Sequence, residues 1–332
     1  MSNVTILDVA KAAGVSPSTI THALNGKRPV SRETKERIDR IIKELGYIPS
    51  HSASHLRSGC SGIIGVYVVD ITESFTTNIV RGIEQGLAGS GKSLLFASGV
   101  ELGDDPATII NFFRTYDVDG LLVCNHLTEN GEGSALFSSS NLPTVSINKE
   151  IDGVSSIIPD NILGGRDAAE YLLSKGMKRP AIIAGPTYRS SSTDRIKGFR
   201  EKISEHGISM PDSYCCCGDY TFQHGYDSAV KLLDLDRQID ALFCANDFIA
   251  SGAISALEKM GISIPDQVMV IGFDNRDFSA FWPIRITTFQ QPLQEMGCLG
   301  MKMLLSMLNN PCPGKTECIR MRSSLIIRES TK

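Results

Sequence analysis

From Gly62 onward the chain alternates short, wholly apolar runs with amphipathic stretches: IIGVYVVD, SLLFAS, GLLVC and PTVSI, then PAIIAG, DALFCAN and VMVIGF. A run that is apolar at every position predicts a strand buried on both faces, and the amphipathic stretches between them predict the helices that cover it. Few architectures accommodate that alternation. It predicts parallel sheets with helices on both sides, and a ligand at the carboxyl ends of the strands. The residues just past those ends are polar or aromatic: Asp70 through Phe75, Asn125, Asp160, Arg189 through Arg195, Asn246, Asp247 and Asp274. At 332 residues the chain exceeds the roughly 100–200 residues that one domain commonly takes, so more than one folding unit is expected.

The first sixty residues follow a different pattern. Thr5 with Asp8 three residues later reads as a capped helix start, Ile6, Val9, Ala10 and Ala13 mark one face, and Gly14 ends the helix. Ser16 can cap a second helix at once, with Pro17 at the first position, where its missing N–H does no harm. In that helix Ile20, Ala23 and Leu24 form an apolar stripe, and Pro17, Ser18, Thr21 and His22 fall on the opposite, polar face. A third helix from about Ser31 brings Ile38, Ile41, Ile42 and Leu45 at spacings of three and four to close a small core. The order predicts a helix-turn-helix domain whose second helix enters the major groove with its N-terminal residues at base edges. Charge agrees: residues 1–60 carry nine Lys and Arg against five Asp and Glu, which leaves eight negative charges on the remainder of a chain whose total is −4. Such asymmetry points to an N-terminal nucleic-acid module. The following SHSASHLRSG reads by composition as a linker, shorter than the ~12–15 residues an isolated helix needs. On DNA it could fold and push Leu56 between base steps of the minor groove.

Other classes are disfavoured. No apolar run reaches the ~20 residues of a membrane helix, and the N-terminus lacks a signal-peptide pattern, so a cytoplasmic protein without a membrane partner is expected. The nine cysteines contain no CxxC pair and are expected to be reduced core thiols without a metal site, Cys215, Cys216 and Cys217 alternating across a strand. The stretch GLAGSGKS, residues 86–93, satisfies the phosphate-loop pattern, but that site needs a strand before the loop and a helix after it. Here a helical pattern (Ile79, Val80, Ile83, Leu87) precedes the glycines and LLFAS follows, so no nucleotide site is expected. Paired carboxylates, a nucleophile elbow and a metal-ligand cluster are likewise missing, and neither an enzyme nor a cofactor is expected.

The segment DVAKAAGVSPSTITHALNGKRPVSRETKERIDRIIKELGYIPS closely resembles the headpiece of the LacI/GalR (lactose repressor) family, and Ala53 to Arg57 resembles that family's hinge helix. The resemblance continues through VRGIE, VDGLLVC, PDNILGG, GFRE, ANDFIASGA, VIGFDN and ITTFQQP. It implies a small all-α helix-turn-helix headpiece (1–49), a hinge (50–61) and an α/β, periplasmic-binding-protein-like bilobed core with two parallel sheets (62–332). The lobes would comprise 62–160 plus 291–322 and 161–290 plus 323–332, with chain crossings near Asp160, Gln290 and Arg322. The function implied is that of a sequence-specific DNA-binding transcriptional regulator, a homodimer on a double-stranded operator under the allosteric control of a small-molecule effector.

By the same resemblance Pro17, Ser18 and His22 read bases and Leu56 is the minor-groove lever, with Thr5, Ser16, Thr21, Asn25 and Ala53 completing the DNA-contacting set. Ser18 and His22 carry polar tips and are the better candidates for direct base contacts. Thr21, His22 and Ser54 differ from the residues usual in the family, so the operator sequence is not inherited. The effector pocket would comprise Phe75, Asp160, Arg189, Ser191, Arg195, Tyr220, Asn246 and Asp274, with Trp282 and Gln291 as further candidates. Asn246, Asp274 and Arg195 suit vicinal hydroxyls, and Phe75, Tyr220 or Trp282 offer flat apolar faces, so a sugar or sugar acid is the expected guest. A purine corepressor is the alternative ligand, and a solute-binding protein without DNA function the alternative role.

Overall fold

The computed structural model describes residues 4–25, 28–47, 60–125, 135–310 and 316–331. The chain separates into two compact units, Met1–Gly62 and Ile63–Lys332.

The first unit holds α1 (Ile6–Ala13), α2 (Pro17–Asn25) and α3 (Arg32–Leu45). Its helix ends follow the local chemistry of the sequence. The Thr5 side chain accepts from the Asp8 amide while the Asp8 carboxylate accepts from the Thr5 amide, and Gly14 turns the chain at φ 63°. Ser16 Oγ accepts from the Thr19 amide at 3.2 Å, and Ser31 caps α3 through the Thr34 amide. Val9, Ala10, Ala13, Ile20 and Ile38 are the buried core, with Ala23, Ile41 and Ile42 packed around it. Leu24 and Leu45 depart from the expected core: each is 38% exposed. Both stand in the last turn of their helices, past the residues that meet the other two.

In chain order the second unit runs β1 (Ile63–Val68), α4 (Ser74–Leu87), β2 (Ser93–Ser98), α5 (Pro106–Thr115), β3 (Gly120–Cys124), β4 (Thr144–Ile147) and β5 (Ser155–Pro159). It continues through α6 (Asn161–Ser174), β6 (Pro180–Ala184), α7 (Ser190–Glu205), β7 (Cys215–Cys217), α8 (Phe222–Leu235), β8 (Ala241–Cys244), α9 (Asp247–Lys259) and β9 (Met269–Ile271). Last come β10 (Thr288–Gln290), α10 (Leu293–Asn309), β11 (Cys318–Met321) and β12 (Ser324–Ile326). Two parallel sheets result, ordered β11-β5-β4-β3-β1-β2 and β7-β6-β8-β9.

Each sheet is covered on both faces. In the first, Val66, Leu122 and Val145 pack under Ile79, Ile83, Met296 and Met301, while Tyr67, Leu121 and Val123 meet Ile109 and Phe113. In the second, Ile183 and Leu242 face α8 and α9, and Ile182 and Phe243 face α6 and α7. The chain leaves the first lobe after β5, returns after β10 to lay α10 on α4, and crosses again between β11 and β12. At that last crossing β12 pairs antiparallel with β10, Gln290 opposite Ser324. Three helix pairs pack through reciprocal glycines, each facing the other helix's backbone: Gly82 with Gly297, Gly165 with Gly198, and Gly225 with Gly252.

Two expectations concern chemistry rather than fold. The phosphate-loop pattern is a helix-to-strand turn: α4 precedes it, β2 follows, and Lys92 Nζ pairs with Asp119 at 2.7 Å. The cysteines correct the expectation of uniformly buried thiols. Cys124, Cys216 and Cys244 are buried, but Cys60, Cys217 and Cys318 are exposed. Strand alternation accounts for Cys217, and both β7 and β11 are edge strands, so an outward residue there meets solvent.

Candidate functional site

In the first unit the N-terminal turn of α2 presents Ser16, Pro17 and Ser18 to solvent, with Thr21 and His22 half-exposed on the next turn. Ser16 and Ser18 share a hydroxyl contact of 2.7 Å, and Thr21 Oγ1 donates to the Pro17 carbonyl at 3.0 Å. The Thr5 side chain is taken up by the cap of α1. Asn25 ends α2, but its side chain lies outside the described residues, as do Ala53 and Leu56. The surface is short and polar, the composition that hydrogen-bonds base edges and phosphates.

In the second unit the candidates gather at the carboxyl ends of the strands. Arg195 is the anchor. Its guanidinium lies 3.6 Å from the centre of the Phe273 ring, donates from Nε to Asn161 Oδ1 at 2.9 Å and from Nη1 to the Ala245 carbonyl at 2.6 Å, and stands 3.8 Å from Asp274 Oδ1. It is 4% exposed, so these partners replace the water it lost. Asp274 sits at φ 101° and accepts from Gln291 Nε2 at 2.6 Å, which leaves the buried Gln291 Oε1 without a protein partner. Ser191 Oγ and the Tyr220 hydroxyl meet at 3.2 Å. A cavity of about 730 Å3 takes in Asp274 and Gln291 together with Asn275, Gln290, Asn78 and Gln85.

Some candidates have structural duties. Asn246 Oδ1 accepts from the Ile249 amide and caps α9, and Asp160 Oδ1 accepts from the Leu163 amide and caps α6, both at 2.9 Å. Phe75, in the first turn of α4, packs against the first lobe's core. Trp282 stands in an aromatic group with Phe222 and Phe278, at centroid distances of 6.3 and 5.7 Å.

Arg189, immediately before α7, holds its guanidinium 5.6 Å from the Tyr188 ring, with its Nε buried and without a hydrogen bond. Its charge acts on a residue that sequence reasoning missed. Lys149, two residues past β4, is held below the usual lysine range by burial and then by the positive charge of Arg189, against which Asp104 acts. Its position just beyond a strand's carboxyl end is the same signal that found the others. Asn161 and Phe273 were also missed, and Asp247 was read as a residue past a strand end but left out of the pocket set. Asp247 is buried, accepts from the Thr288 hydroxyl at 2.6 Å and the Arg276 amide at 2.7 Å, and is pushed up to about 7 by burial and then by the charge of Asp274.

Residues 5–50 match the model for bacterial regulatory proteins of the lacI family, and residues 169–331 match the periplasmic binding protein-like domain. The ribose operon repressor of Escherichia coli K12 is 33% identical over 311 residues, covering 92% of this chain and 94% of that protein. This chain belongs to the LacI family. The transcriptional repressor CytR of the same organism is 31% identical to this LacI-family protein, over 99% of this chain and 96% of CytR. A crystal structure of the lac repressor dimer bound to operator and the anti-inducer ONPF superposes with a TM-score of 0.84, at 25% identity and 99% coverage of both chains. As a LacI-family member the chain is a DNA-binding transcriptional regulator with a small-molecule effector domain, and its described helices include none long and apolar enough to cross a membrane.

Proposed function

We propose that this LacI-family protein is a repressor that grips its operator as a homodimer and releases or tightens its hold when an acidic sugar binds between the lobes. The observation that carries the effector class is the convergence of cations on the cleft. Lys149 comes from the carboxyl edge of the first sheet, Arg189 and Arg195 from that of the second, and Arg189 is near enough to depress Lys149. Like charges held together at reduced dielectric repel. A guest carboxylate beside Arg189 and Lys149 adds to the offset that Asp104 already gives Lys149 and makes charge-assisted hydrogen bonds, while Asp274, Gln291 and Asn246 receive hydroxyls. Phe75 and Tyr220 supply apolar faces, and Asp160, Ser191 and Trp282 line the approaches.

At the DNA, Ser18 and His22 read base edges beside Pro17. Thr5, Ser16, Thr21 and Asn25 fix the register, and Ala53 and Leu56 act in the minor groove. The lac repressor seen on its operator is a dimer, and two-fold recognition of paired half-sites fits that assembly here. We assign the chain no catalytic role and a cytoplasmic location beside the chromosome.

Calorimetric titration with galacturonate, gluconate, ribose and hypoxanthine tests the effector class. An acid is expected to bind at least tenfold more tightly than ribose, and Lys149→Gln to erase that preference while retaining weak sugar binding. Equal binding of neutral sugar, or hypoxanthine as the tightest ligand, overturns it, the latter in favour of a purine corepressor.

A further inference from the structure

Strand β7 carries three consecutive cysteines, and its geometry separates them by face. Cys216 points into the core beneath α8 and α9, while Cys215 and Cys217 share the opposite face. Their Sγ atoms are 4.0 Å apart, with Cys215 partly buried and Cys217 exposed. β7 is an edge strand, paired only to β6 through Ile182 opposite Cys215 and Ala184 opposite Cys217. Its other edge has no strand partner among the described residues. Arg200, on α7, is ion-paired to Asp212 at 2.8 Å and acts on the Cys215 thiol as a positive charge that favours loss of its proton.

We propose that Cys215 and Cys217 are a reversible dithiol/disulfide pair, a modification site oxidised by low-molecular-weight disulfides. The exposed Cys217 thiol loses its proton to water, and its Sγ attacks one sulfur of the external disulfide. One external thiolate leaves and takes up a proton. Cys215 then loses its proton and attacks Cys217 Sγ, expelling the second external thiolate, which is protonated in turn. Two protein thiols are oxidised by two electrons and one external disulfide is reduced to two thiols. The order of attack follows from exposure: Cys217 stands at the surface and meets the external disulfide first, while Cys215, partly buried and with its thiol pushed up to about 12 by burial, acts second.

Closure brings the sulfurs from 4.0 Å to about 2.05 Å, across a Cα separation of roughly 6.7 Å for alternate strand residues, near the upper limit for a disulfide. The strand must pucker to allow it. Such a bond is strained and therefore easily reduced, which suits a reversible mark more than a structural staple. The pucker is transmitted locally. Gly218 donates to the Ala184 carbonyl at 3.3 Å, and three residues beyond Cys217 the Tyr220 hydroxyl meets Ser191. Oxidation at β7 therefore bears on a side chain of the effector cleft.

The test equilibrates the full-length protein with glutathione disulfide, alkylates the remaining thiols after denaturation and maps the peptide containing 215–217 by mass. Expected is a fraction two hydrogens lighter with one alkylated cysteine, restored to three by dithiothreitol. Cys216→Ser should keep the disulfide, and Cys215→Ser should instead trap glutathione on Cys217. A mixed disulfide persisting on Cys217 in the unsubstituted protein, or three alkylated cysteines throughout, overturns the proposal without need of any variant. A lighter peptide lost in Cys216→Ser also overturns it, since the bond would then join neighbouring residues.

Discussion

Arg195 shows how a buried charge is held in place by its neighbours. Its planar fork serves Asn161, the Ala245 carbonyl and the neighbourhood of Asp274 while its face lies on Phe273, an arrangement that an ammonium cannot reproduce. Arg195→Lys is expected to destabilise the second unit by about 1–3 kcal/mol and to abolish the effector-induced rise in melting temperature. A variant that melts normally and still responds to ligand would contradict this assignment.

Asp247 makes a pH-dependent contribution of definite sign. Its folded pKa, about 7, lies above the ordinary 3.8, so between those values the folded state holds a proton that the unfolded chain has released. Stability is therefore highest below the unfolded value, falls as pH rises, and levels off above about pH 7. The slope is at most about 1.4 kcal/mol per pH unit. Urea midpoints from pH 5 to 8 should show this decline in the unsubstituted protein and a flatter profile in Asp247→Asn. Parallel profiles would mean that the carboxyl is already ionised in the fold.

Among elements, α2 and the glycine-packed helix pairs make separable demands. His22→Ala or Ser18→Ala should cost about 1–3 kcal/mol against the best operator and relax choice at one or two base pairs, leaving helix content unchanged. Selection from a random-sequence pool reads this directly, and an unaltered consensus would remove both residues from the reading set. Gly297→Ala sets a methyl against the Ile79 carbonyl, which belongs to the backbone of α4 and cannot swing aside. It should lower stability by about 1–3 kcal/mol through forced separation of the two helices, measurable as a lower urea midpoint.

The elements differ in how far the sequence disclosed them. β2 and β3 coincide with the runs SLLFAS and GLLVC because both of their faces are apolar. β5, with serines at its first two positions, and the three-residue β10 and β12 offer no such run, and pairing across the chain holds them instead. Arg195 and Asp274 were legible as residues past strand ends. The approach of Lys149 to Arg189 was not, because it depends on how residues far apart in sequence meet at the cleft.

At the scale of the whole molecule, charge and shape divide the labour. The positive balance lies in residues 1–60 and the negative balance in the rest, so attraction to DNA is confined to one end of the chain. With roughly six phosphate contacts, operator affinity should fall on the order of 10³-fold between ~50 and ~200 mM salt. Gel-shift titration at several salt concentrations reads the slope, and a flat response would argue against phosphate contacts.

The antiparallel ribbon of β10 and β12 limits what the effector can do mechanically. Two of the three spans joining the lobes are bonded side by side, so neither can twist without dragging its neighbour through the same torsion. That coupling favours a swing of the lobes about the ribbon over independent sliding of the two spans. A guest lodged between the lobes, as proposed, would change the angle of that swing, and the angle would be the message the chain sends.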